Sequence, residues 1–221
     1  MQRIDLSMTI RNHWRWIVKQ TFHHDYSRGD DFQTSILEMG AHAFTHVDTP
    51  LHCKQGEATL DQMDIYSYSG PSVIIDISYI LANEPIRVED LQNHCPEFNK
   101  GEIILLKTCW DEKYHPDTKE YWVEAPYVTE EAAIWLREKS PKAVGFDFPQ
   151  DYPLKLIDNK HLILKELTTH KHLLYEGILH IEYLCNMKQV LSNRIELIAL
   201  PLKLEGFEGG PARVMAIDHN L

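Results

Sequence analysis

One segment of the chain carries four side chains that could bind a metal ion, His42, His46, Asp48 and His52. Its sequence is His-Ala-Phe-Thr-His-Val-Asp-Thr-Pro-Leu-His. Imidazole and carboxylate groups are the ligands that zinc, manganese and iron(II) prefer in proteins. The residue types and their spacing therefore predict a metal site built around this segment.

Neither a regular helix nor a flat strand would bring these side chains to one ion. In a helix, Asp48 points nearly opposite to His46, and Pro50 opposes continuation of the helix. In a flat strand, His42 and His46 lie about 13 Å apart at ~3.3 Å per residue, whereas a metal–nitrogen bond is only about 2 Å long. We therefore expect a tightly turned segment after a strand ending near Gly40.

The composition is typical of one globular domain. Of the 221 residues, 43% are hydrophobic and 25% are charged, which is close to the average for such domains. A formal net charge of -11 repels phosphate backbones. No apolar run approaches the ~18 residues of a membrane span, and no signal peptide is recognised. We expect one cytoplasmic domain over residues 1–221, with neither a nucleic-acid nor a membrane partner.

Hydrophobic periodicity predicts strands that alternate with helices, which is typical of an α/β domain with a mixed sheet. The predicted strands span residues 3–10, 33–39, 72–77, 102–107, 142–148, 194–201 and 212–217. The predicted helices span residues 88–94, residues 129–139 with Thr129 as the N-cap, and a stretch that begins after Asp158 and continues through Leu174. The polar stretch 111–126, with neighbouring Trp110, is expected to be a long loop whose aromatic side chains shape a binding site.

Glu182 is a further candidate ligand because it lies in an otherwise apolar run, residues 178–184. A buried carboxylate without a partner is costly, and this favours a metal ion or another cation beside it. A serine nucleophile has no support, because the sequence contains no GxSxG motif. The residues alone leave an iron(II) oxygenase open, since His42, His46 and Asp48 could form a facial triad, although that class does not explain His52.

The segment 42–52 resembles the HxGTHxDxPxH signature of the metal-dependent cyclase family of hydrolases, which includes bacterial kynurenine formamidase and isatin hydrolase. Ile4-Asp5-Leu6-Ser7 is similar to the opening strand of the family, and residues 144–149 are similar to its GIDxP strand and turn. His170 and Glu182, twelve residues apart, match the spacing of its second ligand pair.

The closing strands of the family resemble residues 198–202 and 210–213, so the resemblance covers essentially the whole chain. It implies a single mixed-sheet α/β domain of the swivelling β/β/α type that the family adopts. It also implies a homodimer or a homotetramer.

The resemblance further implies the ligands of the metal ions. One ion would be held by His42, His46 and Asp48. A second would be held by Asp48, His170 and Glu182, with Asp48 bridging the two ions. The implied cofactor is one or two divalent ions per chain, with zinc or manganese favoured.

Two other roles carry over from the family by position. His52 matches the residue that gives and accepts a proton, and Trp16 falls where an aromatic side chain contacts the substrate, with Trp14 as a close rival. Phe44 stands where the family has glycine and adds bulk near the site. Lys171 comes after His170 where many members have a second histidine, and the Trp-Pro-Gly-Asp stretch of the formamidases is absent.

The expected function is hydrolysis of a small carbonyl substrate, an N-formyl or cyclic amide or a lactone, by a metal-activated water. Two cations bridged by Asp48 would lower the pKa of a bound water, and His52 would pass a proton to the departing nitrogen or oxygen. The alternative is a non-catalytic relative that binds a metal or a ligand in a pocket altered by Phe44.

Overall fold

The computed structural model describes residues 1–157 and 161–219 and contains twelve strands and five α-helices in these ranges. The strands are β1 Gln2–Asp5, β2 Val18–His24, β3 Thr34–Met39, β4 His46–Asp48, β5 Gly70–Asp76, β6 Pro85–Ile86, β7 Ile103–Lys107, β8 Tyr127–Val128, β9 Ala143–Phe146, β10 Leu179–Glu182, β11 Arg194–Pro201 and β12 Gly209–Asp218. The helices are α1 Val88–His94, α2 Trp110–Lys113, α3 Glu120–Val123, α4 Glu130–Glu138 and α5 Thr168–His172.

Seven strands form a barrel-like ring in the order β12-β11-β5-β7-β9-β10-β4, which closes because β4 pairs with β12 as well as with β10. Strand β1 adds to β12 outside the ring. The pairs β5–β7, β7–β9 and β9–β10 are parallel, and the other pairs of the ring are antiparallel. The predicted α/β class with a mixed sheet is therefore confirmed.

The buried side chains form two separate core clusters, because successive side chains of each strand point to opposite faces of the sheet. One cluster takes residues from all seven strands of the ring, such as Val47, Leu105 and Ile181, and none from the α-helices, so it fills the interior of the ring. The other combines the outward residues of the strands, such as Leu106, with the buried faces of the helices, such as Leu136. Because alternate residues of a strand point to opposite faces, each central strand contributes to both clusters.

Most predicted elements are present with small changes in their ends. Strand β11 and helix α1 have the predicted bounds, and the Thr129 hydroxyl caps α4 by accepting a hydrogen bond from the backbone N–H of Ala132. The strand predicted at 3–10 is too long, because β1 ends at Asp5. Five strands are absent from the predicted elements: β2, β4, β6, β8 and β10.

The helix predicted after Asp158 is wrong as one continuous element. Residues 158–160 lie outside the described residues. Beyond them, the chain forms a 3-10 turn at Leu164–Glu166, the short helix α5 and another 3-10 turn at Leu174–Glu176. Because the helix is interrupted, His170 lies on the short helix α5, and a hydrogen bond with Asp151 holds its ring in place.

The stretch predicted as a long loop, residues 111–126, is also different. It contains most of α2 and all of α3, and the side chains of Trp110, Tyr121 and Trp122 are fully buried in the core of this chain. Burial of three large aromatic rings outweighs the polar composition of the stretch.

Candidate metal centre

The floor of the candidate site is a group of four buried side chains on β4 and β10, which we call the ligand patch: His46, Asp48, His180 and Glu182. In the antiparallel register, His46 lies opposite Glu182 and Asp48 lies opposite His180. Paired residues and alternate residues share a face of a sheet, so all four side chains point the same way. Val47 belongs to the interior core, and the ligand patch therefore lies on the outer face of the ring.

His42 and His52 reach the ligand patch from turns on either side of β4. The chain turns through residues 41–45, where Phe44 takes the left-handed conformation with φ 59°, and His52 lies in a 3-10 turn after β4. His42 Nδ1 lies 2.7 Å from Asp48 Oδ1, and the ring centroids of His42 and His52 are 4.0 Å apart. The segment is turned, as its ligand spacing requires.

The start of β12 closes one side of the site through Gly209 and the residue before it, Glu208. Glu208 Oε1 lies 3.0 Å from His42 Nε2. Gly209 pairs with Asp48, and a Cβ atom at this position would lie 2.7 Å from the carbonyl oxygen of Val47 and 2.9 Å from Asp48 Oδ1. Only glycine lets β12 run this close to the ligand patch.

His170 covers the ligand patch from α5 and is oriented by Asp151. His170 Nδ1 lies 2.6 Å from Asp151 Oδ2, and the backbone N–H and hydroxyl of Thr169 donate to the same carboxylate. His170 Nε2 then faces Glu182 Oε1 at 3.5 Å. A carboxylate that holds the far nitrogen of a histidine is the usual way in which a metal-binding imidazole is oriented.

Both carboxylates of the ligand patch are ionised. Burial alone would raise the pKa of Asp48, but the neighbouring His46 and His42 hold it well below its usual value. Burial and the charge of Asp48 would likewise raise the pKa of Glu182, but a hydrogen bond from His180 and nearby histidine charges lower it to about 2. The site therefore holds a pair of buried negative charges that are stabilised by neighbouring positive charge, which protonated histidines or a metal ion can supply.

The histidines around these carboxylates differ in protonation. Burial opposes the charged form of His42 and His170, but hydrogen bonds to Asp48 and Asp151 raise the pKa of each imidazole to about 9. Loss of hydration lowers the pKa of His52 to about 4, and Asp48 offsets this only in part. His52 is thus neutral at pH 7, although its side chain is among the more exposed of the site.

The donor set fits a divalent metal ion. One nitrogen or oxygen from each of Asp48, His170, His180 and Glu182 lies within 4.8 Å of the others, and the same holds for His42, Asp48 and His52. Asp48 belongs to both groups. Its Oδ2 atom is buried without a hydrogen-bond partner among the described residues. A buried polar atom without a partner is costly, and a cation bound there would remove that cost.

His46 contributes to the site although it is outside both of these groups. Its Nδ1 hydrogen-bonds the carbonyl oxygen of Phe44 at 2.7 Å, which turns Nε2 towards the carboxylates. His46 Nε2 lies 3.4 Å from Asp48 Oδ1 and 3.8 Å from Glu182 Oε2. The backbone of the turn therefore sets the direction of this imidazole.

Four aromatic side chains stand beside the ligand patch and form what we call the aromatic wall: Trp16, Phe44, Trp122 and Tyr183. The ring centroids of Trp16 and Phe44 are 4.6 Å apart, and Trp16 also contacts Trp122 at 5.3 Å. Tyr183 joins the wall to the metal centre, because its ring lies 5.3 Å from that of His46. Trp14, the rival of Trp16, lies at the surface and donates to the carbonyl oxygen of Asp117.

The structure thus brings together all five predicted ligands, His42, His46, Asp48, His170 and Glu182, with His52 beside them. Sequence reasoning missed His180, Gln150, Asp151 and Glu208. His180 could have been found from its spacing of two residues from Glu182, had β10 been recognised as a strand. Asp151 resembles an ordinary turn residue in sequence, and Gln150 and Glu208 carry no signal of their own.

Buried imidazoles and carboxylates gathered on a mixed α/β ring are typical of a metal centre in a hydrolytic enzyme. The family model Cyclase, described as "Putative cyclase", matches residues 4–150. A kynurenine formamidase from Bacillus mycoides (strain KBAB4) is 32% identical over 220 residues, which cover 97% of this chain and 96% of that protein. The chain therefore belongs to the cyclase family, and its relatives are hydrolytic enzymes.

Solved structures agree on the fold. An isatin hydrolase A from Labrenzia aggregata has a TM-score of 0.78 at 20% identity, with 98% of this chain and 93% of that chain covered. A predicted metal-dependent hydrolase from Bacillus stearothermophilus has a TM-score of 0.73 at 26% identity, with 99% and 98% covered. Within the described residues, no helix is long and apolar enough to cross a membrane. The non-catalytic alternative is not favoured by these relatives.

Proposed function

We propose that this enzyme hydrolyses a small amide, N-formyl or cyclic, or a lactone at the metal centre on β4 and β10. The observation that carries the proposal is the pair of buried, ionised carboxylates, Asp48 and Glu182, enclosed by histidines. The full-length similarity to kynurenine formamidase supports the substrate class. The carboxylate pair and the similarity to kynurenine formamidase fit an N-formyl amide and a cyclic amide equally, so the proposal includes both.

His42, His46 and Asp48 would hold one divalent ion, and Asp48, His170 and Glu182 would hold a second, with zinc or manganese as the expected metals. The bound metal would supply a water of lowered pKa and a Lewis acid for the carbonyl oxygen. The chain itself orients the ligands. The Phe44 carbonyl fixes His46, the Asp151 carboxylate fixes His170, and Gln150 Nε2 donates to Glu182.

His52 is proposed to move the proton. Burial lowers the pKa of His52, so its imidazole is neutral at pH 7. In that form it would accept a proton from the attacking water and pass it to the departing nitrogen or oxygen. Its ring stacks on His42 and lies 5.5 Å from the ring of His170, so it faces both metal positions. It is also more exposed than the residues of the ligand patch, and this suits contact with a substrate.

The aromatic wall is proposed to hold the substrate. Trp16, the least buried of the four rings, would contact the substrate. Phe44 is only 2% exposed and would shape the pocket through its contact with Trp16, with Tyr183 between them and His46. Flat aromatic rings bind other rings by stacking or by edge-to-face contact. The wall therefore favours a substrate in which an aromatic group is attached to the amide or lactone.

A test of the activity uses protein stripped with a chelator and then reloaded with zinc or manganese. Turnover of a panel of formanilides, isatins and lactones should appear only after reloading. The Asp48→Asn variant, treated in the same way, is the matched control. If the metal-loaded enzyme turns over no member of the panel, the proposed function is wrong.

We also propose that the chain acts in the cytoplasm as a homodimer or a homotetramer. The β2–β3 hairpin exposes Phe22, Ile36 and Leu37, beside a cavity of about 600 Å³. Exposed apolar side chains gathered on one element are typical of an interface. Light scattering at micromolar concentration should show a species at least twice the 25.8 kDa of one chain, and a stable monomer would contradict the proposal.

A further inference from the structure

His180 is the member of the ligand patch to which neither the sequence pattern nor the proposed reaction gives a role. It lies in the middle of β10, opposite Asp48 and two residues before Glu182, and its side chain is completely buried. Its ring is packed between that of His170, 5.0 Å away, and that of Phe146, 5.3 Å away. A polar ring in such a position needs a partner for each nitrogen.

His180 does not have two such partners among the described residues. Its Nδ1 lies 3.2 Å from Glu182 Oε1, but its Nε2 is buried without a hydrogen bond. With the proton on Nδ1, the lone pair of Nε2 has no donor. With the proton on Nε2, that N–H has no acceptor, and the lone pair of Nδ1 faces a carboxylate. Each neutral tautomer leaves at least one nitrogen unsatisfied, whereas a cation bound at Nε2 would satisfy the first tautomer.

The neighbouring groups are suited to such a cation. A ring nitrogen of His180 lies within 4.8 Å of ligand atoms from Asp48, His170 and Glu182, all of them buried. Asp48 also has an unpartnered oxygen, Oδ2. His180 Nε2 and Asp48 Oδ2 are thus two buried polar atoms without partners in the described part of the chain, on residues that lie opposite each other in the sheet. A cation bound beside them would remove the cost of burying both atoms.

We propose that His180 is a fourth protein ligand of the inner metal ion, together with Asp48, His170 and Glu182. The inference rests on the proposed function, because it assumes that this centre holds a metal. With His180, the inner set would offer two nitrogens and two oxygens, the number of protein ligands that is typical of a closed structural zinc site. The outer set, His42, His46 and Asp48, would offer three ligands, the number that is typical of a zinc site that also binds water or substrate.

The difference in exposure agrees with this division of roles. All four proposed inner ligands are buried, whereas the outer set includes His42, whose side chain is 28% exposed. A fully buried set releases its ion slowly, and a set with one partly exposed ligand exchanges its ion more readily. A chelator should therefore remove the outer ion first.

The test compares His180→Asn and His180→Leu with the wild-type protein. The asparagine amide can still donate a hydrogen bond to Glu182 in place of Nδ1, but it is a poor metal ligand. Leucine removes both functions. His172→Leu is the control, because His172 hydrogen-bonds the surface carboxylate of Glu130 and is not among the candidate ligands. Metal content by elemental analysis and the visible spectrum of the cobalt(II) protein are measured for each.

Both His180 variants are expected to hold one metal equivalent fewer than wild type, or to bind that ion at least about 100-fold more weakly. They should also lose the intense cobalt(II) absorption of a four-coordinate site, while His172→Leu keeps both properties. If His180→Asn retains the metal and the spectrum of wild type, His180 only positions Glu182 and the inference is wrong. Thermal unfolding of the metal-free proteins identifies a variant that fails to fold, and the other variant then decides.

Failure of this inference is distinguishable from failure of the proposed function. A wild-type protein that binds no zinc, manganese or cobalt would refute the metal centre as a whole. A wild-type protein that binds metal, with His180→Asn indistinguishable from it, would refute only the role of His180.

Discussion

The ligand patch and the aromatic wall meet at Tyr183, but they are held in place in different ways. Backbone pairing between β4 and β10 fixes the position of each residue of the ligand patch. Contacts between rings hold the wall, whose members come from distant parts of the chain and include Phe44 in a left-handed turn. A side chain of the patch can therefore change without moving the others, whereas the wall depends on the fit of all its rings.

The ligand patch and the aromatic wall also have different proposed roles in the reaction. The ligand patch carries the charges that would bind metal, and their pKa values are set by histidines within and around the patch. The wall carries no charge of its own and is proposed to select the shape of the substrate. Substitutions in the patch should therefore change metal content and turnover, and substitutions in the wall should change substrate range and stability.

The largest effect is expected for Asp48→Ala. Asp48 is shared by both groups of candidate ligands, so its loss removes a ligand from each metal position. We expect loss of metal and a fall in activity greater than the roughly 10- to 100-fold typical of losing an outer partner of a ligand. Elemental analysis after metal supplementation checks this, and a variant that keeps its full metal content would refute the bridging role.

His52→Ala should separate proton transfer from metal binding. His52 stands beside the ligand patch instead of within it, and we expect the variant to keep its metal and a melting temperature close to that of wild type. Turnover should fall by roughly 10² to 10⁴, with much less change in KM, because the general acid and base is lost.

The geometry also allows the competing outcome, since His52 lies with His42 and Asp48 in one group of possible ligands. Loss of a full metal equivalent from His52→Ala would make His52 a ligand. Retention of both metal and turnover would mean that another group transfers the proton. The kcat and metal content of the same sample decide among the three.

A smaller effect is expected for Asp151→Asn. Asp151 holds Nδ1 of His170 and accepts from Thr169, but it is not itself a proposed ligand. Metal affinity should fall about 10- to 100-fold, the usual cost of losing the outer partner of a metal-binding histidine. Competition with a chromophoric chelator measures this. Unchanged affinity would mean that packing alone orients His170.

The contrast between the ligand patch and the aromatic wall also explains which site residues can be predicted from the sequence. The ligand types and spacing of residues 42–52 are visible without a structure, and the spacing of His170 and Glu182 adds the second pair. His180 becomes visible only through the register of β10 on β4. Strand β10 is four residues long within an apolar run, so periodicity alone does not distinguish it from a buried helix.

The fold is predictable where a single segment specifies its own structure. Helix α1 and strand β11 have the predicted bounds because their periodic patterns are undisturbed. The polar composition of the stretch 111–126 predicts a loop, and this prediction is wrong. Its aromatic residues are buried through contacts with residues far away in sequence, such as Trp16 against Trp122, which no local pattern reports.

The smallest effect concerns the stability of the wall at Phe44. Its ring is almost fully buried, yet its backbone has φ 59°, which costs a non-glycine residue roughly 1–2 kcal/mol. Phe44→Ala removes the ring and keeps the strained backbone, and Phe44→Gly removes both. Both variants should be destabilised, because loss of a buried phenylalanine costs about 3–5 kcal/mol. The glycine variant should nevertheless be the more stable of the two by about 1 kcal/mol, since glycine adopts positive φ without strain.

Denaturant unfolding of the three metal-free proteins measures this difference. Both variants should keep the metal content of wild type, because the carbonyl oxygen of residue 44, and not its side chain, holds His46. If Phe44→Ala is as stable as Phe44→Gly, the left-handed turn carries no strain and the wall alone keeps Phe44 in place. If either variant loses metal, the wall and the ligand patch are coupled, because removing one ring has then moved the imidazole that its backbone orients.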